Sequence, residues 1–141
     1  MAIEFYFEEI KSFEINDAIL IKWFNTVVRS ENKSIGDIVF IFCSDSYLLE
    51  MNNNFLNHDY YTDVITFDYV ERDIISGDIF LSYERVMENS VVYGVSFDDE
   101  LHRVMVHGIL HLIGYNDKSE EEQLIMKEKE DFYLGEFLKL M

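Results

Sequence analysis

The chain has 141 residues, and its 28 acidic and 11 basic side chains give a net charge of −17, which leaves few cations for broad contact with a nucleic-acid backbone. The hydrophobic and aromatic fractions, 49% and 16%, exclude a disordered chain and predict a single domain over residues 1–141. No apolar run approaches the roughly 18 residues of a membrane helix, and the first residues do not resemble a signal peptide. The single cysteine, Cys43, excludes an internal disulfide. We therefore expect a cytoplasmic protein.

The first third of the chain predicts a helix between two strands. Alternating apolar and polar residues predict a strand over residues 3–7. Asn16 or Asp17 can cap the helix that follows, which we expect to end at about residue 30 and to have one apolar face. A continuous apolar run then predicts a buried strand over residues 37–43.

The middle of the chain predicts a short helix followed by two strands. The helix is expected over residues 46–55 and a polar loop over residues 57–59. Residues 63–70 have the composition of a strand, and residues 71–77 have that of a hairpin turn. A fourth strand is predicted over residues 79–82.

Two helices are predicted to complete the chain. The first spans residues 97 or 98 to 113, and the second spans residues 119–138. Ser119 and Glu122 can form a capping box at the start of the second. The order β-α-β-α-β-β-α-α predicts an α+β fold, in which a small four-stranded mixed sheet packs against helices.

The first of these two helices ends in the spacing of a catalytic zinc site. His107 and His111 lie one turn apart on the same helix face, where two imidazole nitrogens can bind one metal ion. Gly114 can end the helix in a left-handed conformation, and Asp117 can then supply an oxygen. Catalytic zinc sites have three protein ligands and one open position, whereas structural sites have four ligands. The pattern predicts a metal-dependent hydrolase with His107, His111 and Asp117 as ligands.

A simpler interpretation is that both histidines are core residues of an apolar helix. HxxxH alone occurs often by chance, but a glycine and a third ligand at the right offset favour a metal site. The spacing HxxxHxxGxxD is that of the metzincin signature HExxHxxGxxH with Asp in the last place. Peptidases of that type use the Glu after the first His as a general base, and this position is Gly108 here. A peptidase mechanism is therefore disfavoured.

Three segments together resemble one known family. Residues 107–117, HGILHLIGYND, are similar to the motif HGxLHLxGYDH. Residues 51–67, which begin with MN and end with TDVITF at residues 62–67, are similar to the motif LNxxYRxxDxxTDVLSF. Residues 77–79, GDI, match the start of the strand that follows this motif. With the chain length and the order of elements, these motifs resemble the YbeY endoribonucleases of bacterial rRNA maturation and ribosome quality control.

The resemblance implies a four-stranded mixed sheet, one bound Zn²⁺ ion and hydrolysis of single-stranded RNA. Asp117 stands where the family usually has a third histidine ligand, and Asn116 or a nearby Glu is the alternative ligand. Leu56 stands where the family has an Arg that is thought to hold the RNA. The expected partners are RNA, above all rRNA, and the ribosome or a ribosomal protein.

The proton acceptor for this hydrolysis must lie outside position 108. Zinc would lower the pKa of a bound water molecule and polarise a phosphoryl oxygen. His58, in the polar loop, is the candidate catalytic residue, with Asp63 and Asp78 as alternatives, although acids at strand starts usually bind local backbone. His102 precedes His107 by five residues and should point elsewhere, about 140° round the helix.

Two other functions are compatible with the sequence. The chain could be a metal-binding, ribosome-associated factor without catalysis, and Leu56 in place of the Arg favours this function. The acidic surface of such a factor would bind a basic ribosomal protein. It could also be a zinc hydrolase of another substrate, although Gly108 disfavours peptides. The same ligand types would also suit iron, cobalt or nickel.

Overall fold

The structure, a computed structural model, describes residues 2–56 and 62–141. In these two segments the chain forms, in order, β1 (Ile3–Glu8), α1 (Asp17–Ser30), β2 (Ser34–Cys43), α2 (Asp45–Leu56), β3 (Val64–Asp68), β4 (Ile74–Ser82), α3 (Tyr83–Tyr93), α4 (Phe97–Ile113) and α5 (Glu120–Leu140). No helix within the described segments has the length and apolar composition that a membrane span requires.

The four strands form one mixed sheet in the order β1-β2-β4-β3. Strands β1, β2 and β4 are parallel, and β3 runs antiparallel to β4 at the edge of the sheet. Helix α1 makes the crossover that two adjacent parallel strands require between β1 and β2. The predicted α+β fold with a four-stranded mixed sheet is confirmed.

The sheet separates a large core from a small one, because neighbouring residues of a strand face opposite sides. Phe40 and Ile79 belong to the large core, which includes residues of α1, α4 and α5. On the other face, Leu48 of α2 packs with Cys43 and Ile65. Cys43 is fully buried, as expected of a small core residue.

Helix α4 lies unusually close to the sheet, because glycine occupies two of the contact positions. A Cβ atom on Gly108 would lie 2.8 Å from Cγ2 of Ile79. A Cβ atom on Gly77 would lie 2.5 Å from the Phe67 carbonyl oxygen and 2.8 Å from Cδ2 of Leu112. Real Cβ atoms do not make contacts this short, so a larger residue at either position would push α4 away from β4.

Helix α3 is absent from the sequence prediction, which is wrong at this point. Ser82 ends β4 and also caps α3, since its hydroxyl accepts a hydrogen bond from the Arg85 N–H at 3.1 Å. No loop therefore separates the strand from the helix. Only Val86 and Ser90 of α3 are buried, so the helix lacks the apolar periodicity that would have identified it.

The hairpin turn is shorter than the predicted turn over residues 71–77, and β4 begins at Ile74 instead of residue 79. The backbone N–H of Glu71 donates to the Ile74 carbonyl at 3.2 Å, and Ile74 donates back at 3.0 Å. Arg72 allows this tight turn by adopting a left-handed conformation with φ of 56°. A non-glycine residue in this conformation is difficult to anticipate from sequence.

Candidate metal centre

Helix α4 begins and ends as the sequence predicts. The Ser96 hydroxyl caps its start by accepting a hydrogen bond from the Asp99 N–H at 3.1 Å. Gly114 ends the helix with φ of 124°, a backbone conformation that L-residues rarely adopt. A Cβ atom on Gly114 would meet no atom within 4 Å, so the backbone conformation, not a lack of space, favours glycine here. The chain then turns back and brings Asp117 to the face of α4 that carries His111.

The three predicted ligands lie together and form a small triangle of donor atoms. Nε2 of His107 lies 3.0 Å from Nε2 of His111 and 3.2 Å from Oδ2 of Asp117. The remaining side, from His111 Nε2 to Asp117 Oδ2, measures 3.3 Å. Atoms that bind one tetrahedral ion at about 2.0–2.1 Å lie about 3.3 Å from one another. The donor atoms are therefore already spaced to share one ion.

The donor set also fits a metal that keeps a position for substrate. Two imidazole nitrogens and one carboxylate oxygen are typical ligands of catalytic zinc, and they also suit iron, cobalt and nickel. The side chains of His107, His111 and Asp117 are 20%, 24% and 38% exposed, so the triangle is open to solvent on one side. This group could hold a metal ion with an open coordination position.

Two other candidates from the sequence lie outside the ligand group. The ring of His102 packs 4.5 Å from that of Phe137 and 6.1 Å from that of Trp23, between ring centroids, so it points away from His107 as expected. Asn116 is exposed, whereas Asp117 completes the triangle. Of the three histidines of α4, only His102 packs against core residues, whereas His107 and His111 belong to the candidate metal group.

Two of the three candidate proton acceptors lie within the residues that the structure describes. His58 lies outside the described residues. Asp63 precedes β3 and lies close enough to His107 for their charges to interact; burial raises the pKa of its carboxyl, and His107 partly opposes that shift. Asp78 follows Gly77, whose Cα faces α4, so its side chain points to the opposite face of the sheet. Asp78 therefore does not belong to the metal centre.

Position 108 has no room for a general base. The missing Cβ of Gly108 would already collide with Ile79, a fully buried residue of β4. Its side of the helix faces the sheet, whereas His107 faces α5. The absence of the metzincin glutamate is thus enforced by packing, which supports the interpretation that this is not a peptidase of that type.

Sequence reasoning missed Glu130, which contacts the candidate ligand His107 directly. The exposed fraction of Glu130 is only 8%, and its Oε2 lies 2.6 Å from Nδ1 of His107. Its other oxygen accepts a hydrogen bond from Arg103 at 2.8 Å, and Arg103 also donates to Asp131 at 2.6 Å. Glu130 falls in the acidic run EEEQLIMKEKEDF, which reads as a solvated helix face. Its spacing from the other buried residues of α5 indicates that it faces the core, but not that it contacts His107; these residues are Met126, Tyr133 and Phe137.

The two histidine ligands have opposite pKa shifts. Burial lowers the pKa of His107, but the hydrogen bond and charge of Glu130, together with the charges of Asp117 and Asp63, leave this pKa raised. The pKa of His111 is lowered, first by burial and then by the neighbouring charge of His107. His111 is therefore held in the neutral form that binds metals, and metal binding must displace any proton from His107.

A second buried acid, Glu100, also escaped the sequence analysis. It lies on α4 two turns before His107 and is 4% exposed. Burial raises the pKa of its carboxyl to about 7, and the nearby Asp63 and Glu130 add to the shift while Arg103 opposes it. Glu100 lines a cavity of about 1090 Å³ between α4 and α5, and His107 lines the same cavity. The metal centre therefore opens into a groove with several acidic groups.

The loop that carries Asp117 is anchored to distant parts of the chain. The Tyr115 hydroxyl donates to Oε1 of Glu31, the residue that follows α1, at 2.5 Å. The other oxygen of Glu31 accepts from Lys129 at 3.2 Å and from the Tyr133 hydroxyl. The Gln123 side chain donates to the Asp117 carbonyl at 3.0 Å. These bonds fix the third ligand relative to α4.

Comparisons with known proteins identify the family of this chain and agree with its fold. The sequence model of the family described as Endoribonuclease YbeY matches residues 5–138. Relatives named Endoribonuclease YbeY include one from Bacteroides thetaiotaomicron, 47% identical over 93% of this chain and 96% of its own length. Another, from Flavobacterium psychrophilum, is 54% identical over 84% of this chain and 86% of its own.

A solved structure also matches. The solution structure of a Thermotoga maritima protein superimposes with a TM-score of 0.65 at 28% sequence identity, and the match covers 94% of this chain and 88% of the other. The family model and the two relatives each span most of the chain, and the residues matched by the family model include the candidate metal ligands. On these matches, the chain belongs to the YbeY family of endoribonucleases.

Proposed function

We propose that this chain is a zinc-dependent endoribonuclease that cleaves single-stranded RNA in rRNA maturation and ribosome quality control. One Zn²⁺ ion is bound by His107, His111 and Asp117. The observation that carries the proposal is the triangle of donor atoms with sides of 3.0, 3.2 and 3.3 Å in a chain of this family. The expected partner is RNA, above all rRNA, and the expected place of action is the ribosome in the cytoplasm.

The metal ion supplies Lewis acidity toward a phosphoryl oxygen and makes water a better nucleophile. Asp117 contributes a negative charge that a third histidine would not, which lowers the net charge of the site by one. Asp63, beside His107, and His58 are the candidate acceptors for the proton that water loses. The groove between α4 and α5 gives substrate a path to the open side of the triangle.

Metal content is the first test. Protein purified without added metal should contain about one zinc ion per chain, and His111→Ala should contain almost none. Asp117→His is the matched control, because it keeps three ligands and should keep the metal, whereas Asp117→Ala should lose it. Equally low metal in the wild type and in His111→Ala would overturn the zinc site.

Cleavage is tested with one labelled RNA sequence, offered as a single strand and as a duplex. The metal-loaded protein should cut the single strand only, and activity should disappear in His111→Ala or after chelation. His58→Ala should reduce turnover while metal content stays unchanged. Unchanged turnover in this variant would remove His58 from the mechanism and leave Asp63 as the acceptor to be tested.

Three observations favour a second function, that of a ribosome-associated metal-binding factor without catalysis. The chain carries a charge of −17, the groove beside the metal centre contains Glu100 and Glu130, and Leu56 stands where the resemblance places an RNA-holding Arg. Such a surface attracts basic proteins more readily than a polyanion. A fully metal-loaded protein that cuts neither RNA form but binds ribosomes would support this function over the first.

A further inference from the structure

The contact between His107 and Glu130 determines which nitrogen of His107 is free. A neutral imidazole has one N–H donor and one acceptor nitrogen, and an ionised carboxylate can only accept hydrogen bonds. Because Nδ1 of His107 lies 2.6 Å from Oε2 of Glu130, the proton resides on Nδ1. Nε2, which forms one corner of the ligand triangle, then keeps its lone pair for the metal.

Arg103 holds Glu130 in this position. Arg103 and His107 lie one turn apart on α4, so both face α5. The guanidinium donates to Oε1 of Glu130 at 2.8 Å, and the opposite oxygen, Oε2, is left for His107. Arg103 also bonds Asp131, the next residue of α5. A carboxylate with little exposure requires such a partner, since an unpaired buried charge is strongly destabilising.

We propose that Glu130, held by Arg103, is the positioning residue of the metal centre: it fixes the tautomer and the orientation of His107 and thereby raises the affinity of the site for divalent metal ions. This inference builds on the ligand group in the proposed function, but it does not depend on which substrate is cleaved. Loss of such a partner of a metal-binding histidine typically weakens metal affinity by about 10–100-fold.

The geometry distinguishes this role from simple packing through Glu130→Gln. Gln has nearly the same shape as Glu, so a packing role predicts little change. Arg103 can only donate hydrogen bonds, so it attracts the amide oxygen and turns the amide NH₂ toward Nδ1 of His107. That arrangement favours the His107 tautomer with its proton on Nε2, and a protonated Nε2 has no lone pair for the metal at this corner of the triangle. Glu130→Gln should therefore weaken metal binding about as much as Glu130→Ala does.

A second change should restore binding. In Glu130→Gln combined with Arg103→Met, no guanidinium competes for the amide oxygen, which is then free to accept from Nδ1 of His107. The double variant should bind metal at least about fivefold more tightly than Glu130→Gln alone, as part of the 10–100-fold effect is recovered. If Arg103 and Glu130 were structural only, the second substitution would add damage.

The experiment is a competition titration of metal-free wild type and variants with Zn²⁺, and with Co²⁺ to record the visible spectrum of the bound ion. Glu128→Gln, on the exposed side of α5, is the matched control for charge, and circular dichroism checks folding. Nitrogen-15 NMR of the metal-free proteins reads the His107 tautomer directly. We expect the Nδ1–H form in the wild type and the Nε2–H form in Glu130→Gln.

Two results would overturn the positioning role: wild-type metal affinity in Glu130→Gln, or a double variant no tighter than Glu130→Gln. An Nε2–H tautomer in the wild type would also overturn it. Since the NMR measurement needs neither metal nor RNA, its outcome separates this role from the proposed function. A metal-loaded wild type that leaves RNA intact would overturn the nuclease proposal alone.

Discussion

Replacing Gly108 with alanine should destabilise the protein, although alanine favours helices. The added Cβ would lie 2.8 Å from Cγ2 and 3.1 Å from Cδ1 of Ile79, whereas carbon atoms in contact lie about 3.5–4.0 Å apart. Because Ile79 is fully buried, the strain cannot escape to solvent. Overpacking of this kind costs about 1–3 kcal/mol, and the helix preference of alanine returns about 1 kcal/mol. The free energy of unfolding should therefore fall by up to about 2 kcal/mol.

Gly135 of α5 provides the matched control, since a Cβ atom there would meet nothing within 4 Å. Gly135→Ala should gain about 1 kcal/mol from helix preference alone. The assay is equilibrium unfolding of both variants in urea, with metal removed so that only packing is compared. The two variants should differ by about 1–3 kcal/mol, the cost of overpacking. Equal stabilities would refute the idea that the close approach of α4 to β4 requires glycine at position 108.

Three further substitutions test groups around the site. Glu100→Gln should raise the free energy of unfolding by an amount that grows from about pH 5 to about pH 8. The reason is that ionisation of Glu100, whose pKa is raised from 4.5 to about 7, destabilises the wild type over that interval. Urea unfolding should show that the gain grows by about 2 kcal/mol, and a gain independent of pH would contradict the prediction. Gly114→Ala should lower the free energy of unfolding by about 1–3 kcal/mol, because alanine is strained at a φ of 124°. It should also weaken metal binding by displacing Asp117, and wild-type metal affinity in this variant would contradict the prediction. Burial alone would raise the pKa of Glu31, but its hydrogen bonds, first that of Tyr115, leave this pKa lowered. The ionised carboxylate therefore stabilises the folded protein above pH 4.5, and this stabilisation is lost as the pH falls further. Glu31→Gln should therefore be less stable at neutral pH and unfold with a weaker dependence on acid in a pH titration, and an unchanged acid transition would contradict this.

The clustering of the three candidate metal ligands was predictable because their arrangement is mostly local. His107 and His111 are adjacent on any helix, and the glycine between them and Asp117 specifies where the helix stops. The existence of four strands was also predictable, because alternating and continuous apolar runs identify strands, and the order of the elements then favours a mixed sheet. In each case, the pattern of neighbouring residues carries the information.

What sequence reasoning missed depends on contacts between distant segments. Glu130 lies in an acidic run, and only the packing of α5 on α4 turns it toward His107. The burial of Glu100, whose charge interacts with Asp63 and Glu130, is likewise a property of the folded chain. Helix α3 follows Ser82 without a loop and buries too little apolar surface to show a helical period. Local propensity does not contain this information.

The hydrogen bond between Tyr115 and Glu31 links metal binding to folding of the whole chain, because the two residues are 84 positions apart. An unfolded or partly folded chain offers a metal ion the two neighbouring histidines, whereas the candidate third ligand, Asp117, is in place only after α1 has docked. A metal ion consequently binds the native state more tightly than any other state and stabilises it in proportion to the logarithm of its concentration. A substitution that prevents α1 from docking would therefore displace Asp117 and weaken metal binding.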